Sequence, residues 1–131
     1  MNASRILERQ VLNHFFRNLP QTPPTQLFVA LYIDDPTDND IGTEINGGAY
    51  QRQQITFTAP TDFGGGSQIA NTVEIRFPIA VGDWGEISHF GIRDAATGGT
   101  LMAHGVVAVP KKIENGDEAM FRAGLLTVHI G

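Results

Sequence analysis

Several groups of residues in this chain carry side chains that could do chemistry. The acidic run Asp34-Asp35-Pro36-Thr37-Asp38-Asn39-Asp40 invites a calcium reading, because hard cations need clustered oxygen ligands. It fails the specific test: no starting position gives alternating acidic ligands, a central glycine and a glutamate at the twelfth place. The run reads instead as Asx-type turns in a solvated acidic loop, with Asp38 and Asp40 exposed. Ser88, His89 and Asp94 are the residue types of a hydrolase triad. Neighbouring residues of a regular strand point to opposite faces, however, so Ser88 and His89 are not expected to share a hydrogen bond. No Gly-x-Ser-x-Gly elbow is present either.

The remaining candidates are weaker. His14, His89, His104 and His129 fall on a helix and three different strands, and no pair has metal-ligand spacing. The glycines at 64, 65 and 66 are not part of a phosphate-binding Gly-x-x-x-x-Gly-Lys-Ser/Thr motif, so they read as a flexible turn. Trp84, at the entry to a strand, fits either half-buried packing or an exposed platform for a sugar or a partner. No catalytic residue, metal site or cofactor is expected.

Composition narrows the classes further. A length of 131 residues with 41% hydrophobic residues fits a single domain (1–131) with a real core. Fifteen glycines and seven prolines point to many turns, as short-stranded all-β folds require. The net charge of −5 and nine scattered basic residues exclude a general nucleic-acid surface. The longest apolar stretch, residues 27–33, is far below the ~20 residues of a spanning helix, so no membrane partner is expected. Cysteine is absent, which excludes disulfides and thiolate chemistry. Charges at Arg5, Glu8, Arg9 and Arg17 interrupt any signal-peptide core, and synthesis in a cytoplasm is expected.

The elements that would position these residues follow from periodicity. Leu7, Val11 and Phe15 repeat every four residues, with Leu12, Phe16 and Leu19 beside them, predicting a helix over residues 3–19. Asn2 or Ser4 would cap it and Pro20 would end it. Its apolar stripe covers about half the circumference and needs a partner surface.

A β domain over about 25–131 follows. Residues 27–33 are continuously apolar, so both faces of that strand are expected to be covered. Alternation predicts strands around Ile55-Phe57-Ala59 and Val73-Ile75-Phe77. Residues 87–93 and 101–109 read as a hairpin turning at 95–99, with Gly98 or Gly99 at positive φ. Strands around 119–121 and 125–130 complete the set, the latter with Leu126, Val128 and Ile130 on one face. About seven antiparallel strands suggest a β-sandwich or small barrel with one N-terminal α-helix. Residues 34–49 and 61–70 read as long polar loops suited to partner contacts.

An ordered set of short signatures runs through the chain. Leu12-Asn13-His14-Phe15-Phe16-Arg17-Asn18 comes first, then Phe28-Val29-Ala30-Leu31-Tyr32, Asp35-Pro36-Thr37, Gly42-Thr43-Glu44-Ile45 and Gly47-Gly48-Ala49-Tyr50-Gln51-Arg52. Phe77-Pro78, Trp84-Gly85, His89-Phe90-Gly91-Ile92-Arg93-Asp94-Ala95, Gly98-Gly99, Gly116-Asp117 and Phe121-Arg122-Ala123-Gly124-Leu125 follow. From about Leu7 to Ile130 this order resembles a family of small tailed-bacteriophage structural proteins often labelled phage tail fibre protein.

The resemblance implies a virion component, not an enzyme, and the apolar stripe of residues 7–19 points to a homo-oligomer or a larger assembly partner among other virion subunits, made in the host cytoplasm. The chain has no repetitive shaft, collagen-like repeat or heptads. A tail or tail-fibre-associated unit is therefore expected, with a capsid decoration protein and a carbohydrate-binding module as alternatives. Host-surface carbohydrate is the further partner to consider. The candidate interface residues are Leu7, Val11, Phe15, Phe16, Tyr50 and Trp84.

Overall fold

In the computed structural model, which describes residues 1–131, the chain forms ten strands and a short helical segment. The strands are β1 (Asn2–Ala3), β2 (Leu27–Tyr32), β3 (Gln53–Ile55), β4 (Thr61–Phe63), β5 (Gly66–Ala70), β6 (Ile75–Arg76), β7 (Gly85–Arg93), β8 (Leu101–Ile113), β9 (Met120–Phe121) and β10 (Thr127–Ile130). All pairings are antiparallel: a five-stranded sheet in the order β1-β8-β7-β2-β3, a three-stranded sheet β10-β5-β4 and a two-stranded ribbon β6-β9. The architecture is mainly β, as its sequence implies, and no sheet closes into a barrel.

β2 is apolar along its whole length because it runs between β7 and β3 with both faces covered. Val29 and Leu31 enter the main core with Ile55, Ile87, Phe90 and Ile92 of the same sheet, against Ile75, Phe77, Trp84 and Leu126. Tyr32 belongs to the opposite face, in the alternation a pleated strand imposes. There it is buried with Leu101 and Pro36, and loop 34–43 closes over it.

The hairpin turn between β7 and β8 falls where expected, with φ of +61° at Gly98 and +70° at Gly99. A Cβ on Gly99 would lie 2.5 Å from an Asp94 carboxylate oxygen, so this turn requires glycine.

The helix is shorter than predicted. Residues 2 and 3 pair with β8 instead, Ser4 caps α1 (Arg5–Val11) by accepting from the Leu7 N–H at 3.2 Å, and Leu12–Phe16 continue as a π-helical turn. Asn18 takes a left-handed φ of +56° and ends the segment before Pro20. No residue of α1 or of the π turn is buried. No helix here is long and apolar enough to cross a membrane.

Segment 61–70, expected to be a loop, is the β4–β5 hairpin, turning at Gly64-Gly65. All three residues of β4 are exposed, so no hydrophobic alternation marks the strand. Ile75 and Phe77 are buried as predicted, while Val73 is exposed. Toward the C-terminus, Leu126 is buried but Ile130 is exposed.

Candidate assembly surfaces

The acidic run is folded inward more than its composition suggests. Asp34 accepts from both the N–H and the hydroxyl of Thr43, at 2.6 and 2.9 Å. The backbone bond is the larger influence, and it holds this carboxyl below the usual range. Asp35 makes the expected Asx turn, accepting from the Thr37 N–H at 2.9 Å. Asp38 lies 2.8 Å from Nε2 of the buried His104. Asp40 receives both Nη atoms of Arg93, at 2.8 and 2.9 Å. Asp40 is exposed as expected and Asp38 only half-exposed, and both nevertheless hold the loop to the sheet. A loop of this length covers a sheet face only if its polar groups find partners there.

Two arginines build the centre of this clamp. Besides Asp40, Arg93 donates to the Tyr32 hydroxyl and to the carbonyls of Gly98 and Gly99. Burial opposes its charge, but the bonds to Asp40 and Tyr32 outweigh it and raise its pKa. Arg52 donates to Glu44 at 2.8 and 2.7 Å and to the carbonyls of Ala95 and Gly98, both at 2.8 Å. The tight glycine turn therefore aims its carbonyls at two guanidinium groups.

Tyr50 donates its hydroxyl to Glu44 at 2.6 Å and accepts from the Leu31 N–H at 3.0 Å. Burial and then the Glu44 bond push its pKa up. Glu44 is desolvated, which opposes its charge, yet the bonds from Arg52 and Tyr50 prevail and hold its pKa below the ordinary 4.5.

A depressed carboxylate stabilises the fold above its unfolded pKa, and that contribution is lost as pH falls through the lower folded value. Wild-type protein should therefore resist urea better than Glu44→Gln at pH 7. The gap should shrink as pH drops below about 4.5. A gap unchanged at pH 3 would show that Glu44 acts only through its shape.

Ser88 and His89 do meet: Ser88 Oγ lies 2.8 Å from His89 Nδ1. The expectation from strict alternation fails because the β7–β8 ladder shifts register between Ile87 and His89. The third triad residue is elsewhere, since Asp94 Oδ1 accepts from the Thr100 N–H at 2.7 Å. His14 lies 3.1 Å from the Leu19 carbonyl, and the His129 ring packs near Phe63. No three His, Asp or Glu side chains come together as a metal site.

Trp84 proves to be a core residue. It is 6% exposed, donates its indole N–H to the Gly48 carbonyl at 2.8 Å, and meets the Tyr50 ring edge-to-face at 5.5 Å. Tyr50 also stacks on Phe77. Asn71, which no motif flagged, is buried and ties two segments, bonding Val73 beside it and Arg122 and Leu126 of the β9–β10 connection.

The apolar surface lies elsewhere. Leu7 and Val11 are half-buried, whereas Phe15 and Phe16 are 74% and 78% exposed. A second apolar region is the groove between β8 and β9. Altogether the chain exposes 7849 Å². A folded monomer of its 14.2 kDa exposes about 6,800 Å². The excess of about 1,000 Å² exceeds the ~800 Å² that one partner contributes to a standard interface.

The chain thus ties Arg52, Arg93, Glu44 and Asp40 into an internal clamp and leaves large apolar side chains such as Phe15, Phe16 and Val109 exposed. The family described as podophage GP4 fiber I protein gp80 matches residues 2–129, and the chain belongs to that family. It is a phage tail-fibre-type structural protein, associated with other components of the virion. No curated protein matches the chain.

Proposed function

We propose that this chain is a non-catalytic packing unit of the phage tail, fibre-associated and oligomeric. The surface excess carries the reading: about 1,000 Å² beyond that of a monomer of this mass is what subunit contacts would remove. The protein binds its neighbours by apolar docking, and the clamp keeps the loops rigid while it does so. These 131 residues form a globule and not a rod, which suits a cap, collar or tip adaptor. The aromatics that would stack on a sugar support the same reading, since Trp84 is buried and the Tyr50 hydroxyl is engaged at both donor and acceptor.

Quantitative composition of purified particles, together with light scattering of the isolated protein, tests this. The expected result is an oligomer in solution and a copy number that is a small fraction of the major capsid protein's. A number near that of the capsid protein would move the protein to the head as a decoration subunit. Absence from particles would refute a virion role altogether.

A further inference from the structure

We infer that Asn46 is a site of spontaneous covalent modification, closing a succinimide with Gly47, and that its conversion to isoaspartate loosens the loop that receives Trp84. The inference is independent of the subunit-packing reading.

The chain contains two Asn-Gly pairs, Asn46-Gly47 and Asn115-Gly116. Glycine matters at the second position because its backbone nitrogen is the attacking atom, and the missing Cβ leaves that nitrogen open to approach. The Gly47 nitrogen bonds to Cγ of Asn46 and loses its proton, and the side-chain amide leaves as ammonia. The succinimide so formed then takes up one water. Attack of that water at Cγ gives aspartate. Attack at the Asn46 main-chain carbonyl carbon gives isoaspartate, in which the backbone runs on through the side chain. The net exchange is water in and ammonia out, and hydroxide accelerates it by removing the amide proton.

Both asparagines are exposed, so exposure does not separate them. Hydrogen bonding does. The Gly116 N–H donates to the Ala80 carbonyl at 2.8 Å, and Asn115 Oδ1 accepts from the Gly82 N–H at 2.9 Å. The attacking nitrogen and the amide under attack are thus both tied to segment 80–82, and both must be released before they can meet. At Asn46 neither tie exists: its side chain and the Gly47 N–H have no partner within the protein. The space where a Gly47 Cβ would stand is empty to 4 Å. Asn46 also lines a cleft of about 480 Å³, open to solvent, beside Glu44 and Arg52 of the clamp. Water reaches the succinimide from there.

The anchors on either side of Asn46 give the product its effect. The Ile45 N–H donates to the Leu31 carbonyl at 3.0 Å, and the Ile45 side chain is buried in the core. Beyond Gly47, the Gly48 carbonyl accepts from the Trp84 indole and from the Val81 N–H. Isoaspartate inserts one extra backbone atom between these anchors, so they cannot both keep their place. The Gly48 end yields, because Gly47 and Gly48 have no side chains to hold them. Ordinary aspartate adds only a charge at an exposed site.

The test holds the folded protein, and the protein unfolded in urea, at mildly alkaline pH and follows both by tryptic mapping and mass spectrometry. Peptide 18–52 reports Asn46 and peptide 113–122 reports Asn115. In urea the two sites should react at similar rates. In the folded protein Asn46 should convert about 30-fold faster than Asn115, whose two hydrogen bonds must open first. An isoaspartyl methyltransferase should label the aged protein, and the aged form should melt about 4 °C below fresh protein. Asn46→Gln, aged alike, should show neither change, and freshly prepared Asn46→Asp should melt as wild type. Asn115 reacting as fast as Asn46 in the folded state would overturn the site, as would an Asn46 that stays intact while the unfolded chain converts. Equal melting of aged and fresh protein, or the same loss in Asn46→Asp, would overturn the loosening of the Trp84 loop.

Discussion

Replacing Arg93 with alanine is expected to lower the melting temperature by about 10–20 °C, the largest effect of any single charged residue in the chain. The guanidinium is buried, and its three nitrogens serve five bonds: two to Asp40, one to Tyr32 and one each to the Gly98 and Gly99 carbonyls. Truncation leaves the Asp40 carboxylate and the Gly99 carbonyl without their side-chain donor in a partly dehydrated site, while the Gly98 carbonyl keeps Arg52. Breaking one side of such a pair costs about 3–5 kcal/mol. Lysine does not restore it, because a point charge cannot reproduce the planar fork that Asp40 receives at both oxygens. The double variant Arg93→Ala/Asp40→Ala should lose less than the sum of the single variants. A thermal scan in which Arg93→Ala melts within about 3 °C of wild type would show that the clamp adds little to folding.

The clamp also marks the boundary of what the sequence reveals. β2 and the β7–β8 hairpin are legible because their signals are local: a continuous apolar run, and two strands around a Gly-Gly turn. β1 and β9 are two residues long and have no period to detect. The pairings of Arg93 with Asp40 and of Arg52 with Gly98 span 53 and 46 positions, so only the folded chain shows them. Even so, Glu44, Tyr50, Arg52, Arg93 and Gly98-Gly99 all stand within the short signatures that resemble the phage family. Those signatures turn out to hold the segments that pin loop to sheet. The misjudged Ser88–His89 contact had a visible warning in Pro110, since proline inside a long strand signals an edge or a bulge. The exposure of Phe15, Phe16 and Val109 could not be read from composition at all. It depends on which apolar residues the fold fails to cover, and the helical stripe gave the single advance sign of it.

Trp84→Ala should be the most damaging substitution in the core, costing about 3–5 kcal/mol in urea or thermal unfolding. The ring fills space between the main sheet and the glycine loop, and it faces the Tyr50 edge that in turn positions the hydroxyl bound to Glu44. Its removal therefore empties the core and loosens the clamp together. Gly48 shows how close the fit is: at φ +60°, a Cβ there would stand 2.8 Å from the indole nitrogen. Trp84→Phe separates burial from hydrogen bonding. The Gly48 carbonyl would still accept from the Val81 N–H at 3.0 Å, so the lost indole bond leaves no orphaned acceptor. Its share is then about 0.5–1.5 kcal/mol. Alanine should accordingly be worse than phenylalanine by about 2 kcal/mol or more. Because Trp84 is the chain's one tryptophan, unfolding of the variants must be followed by far-ultraviolet circular dichroism rather than by fluorescence. Equal losses for the two variants would mean that the indole N–H, not the volume of the ring, holds the loop in place.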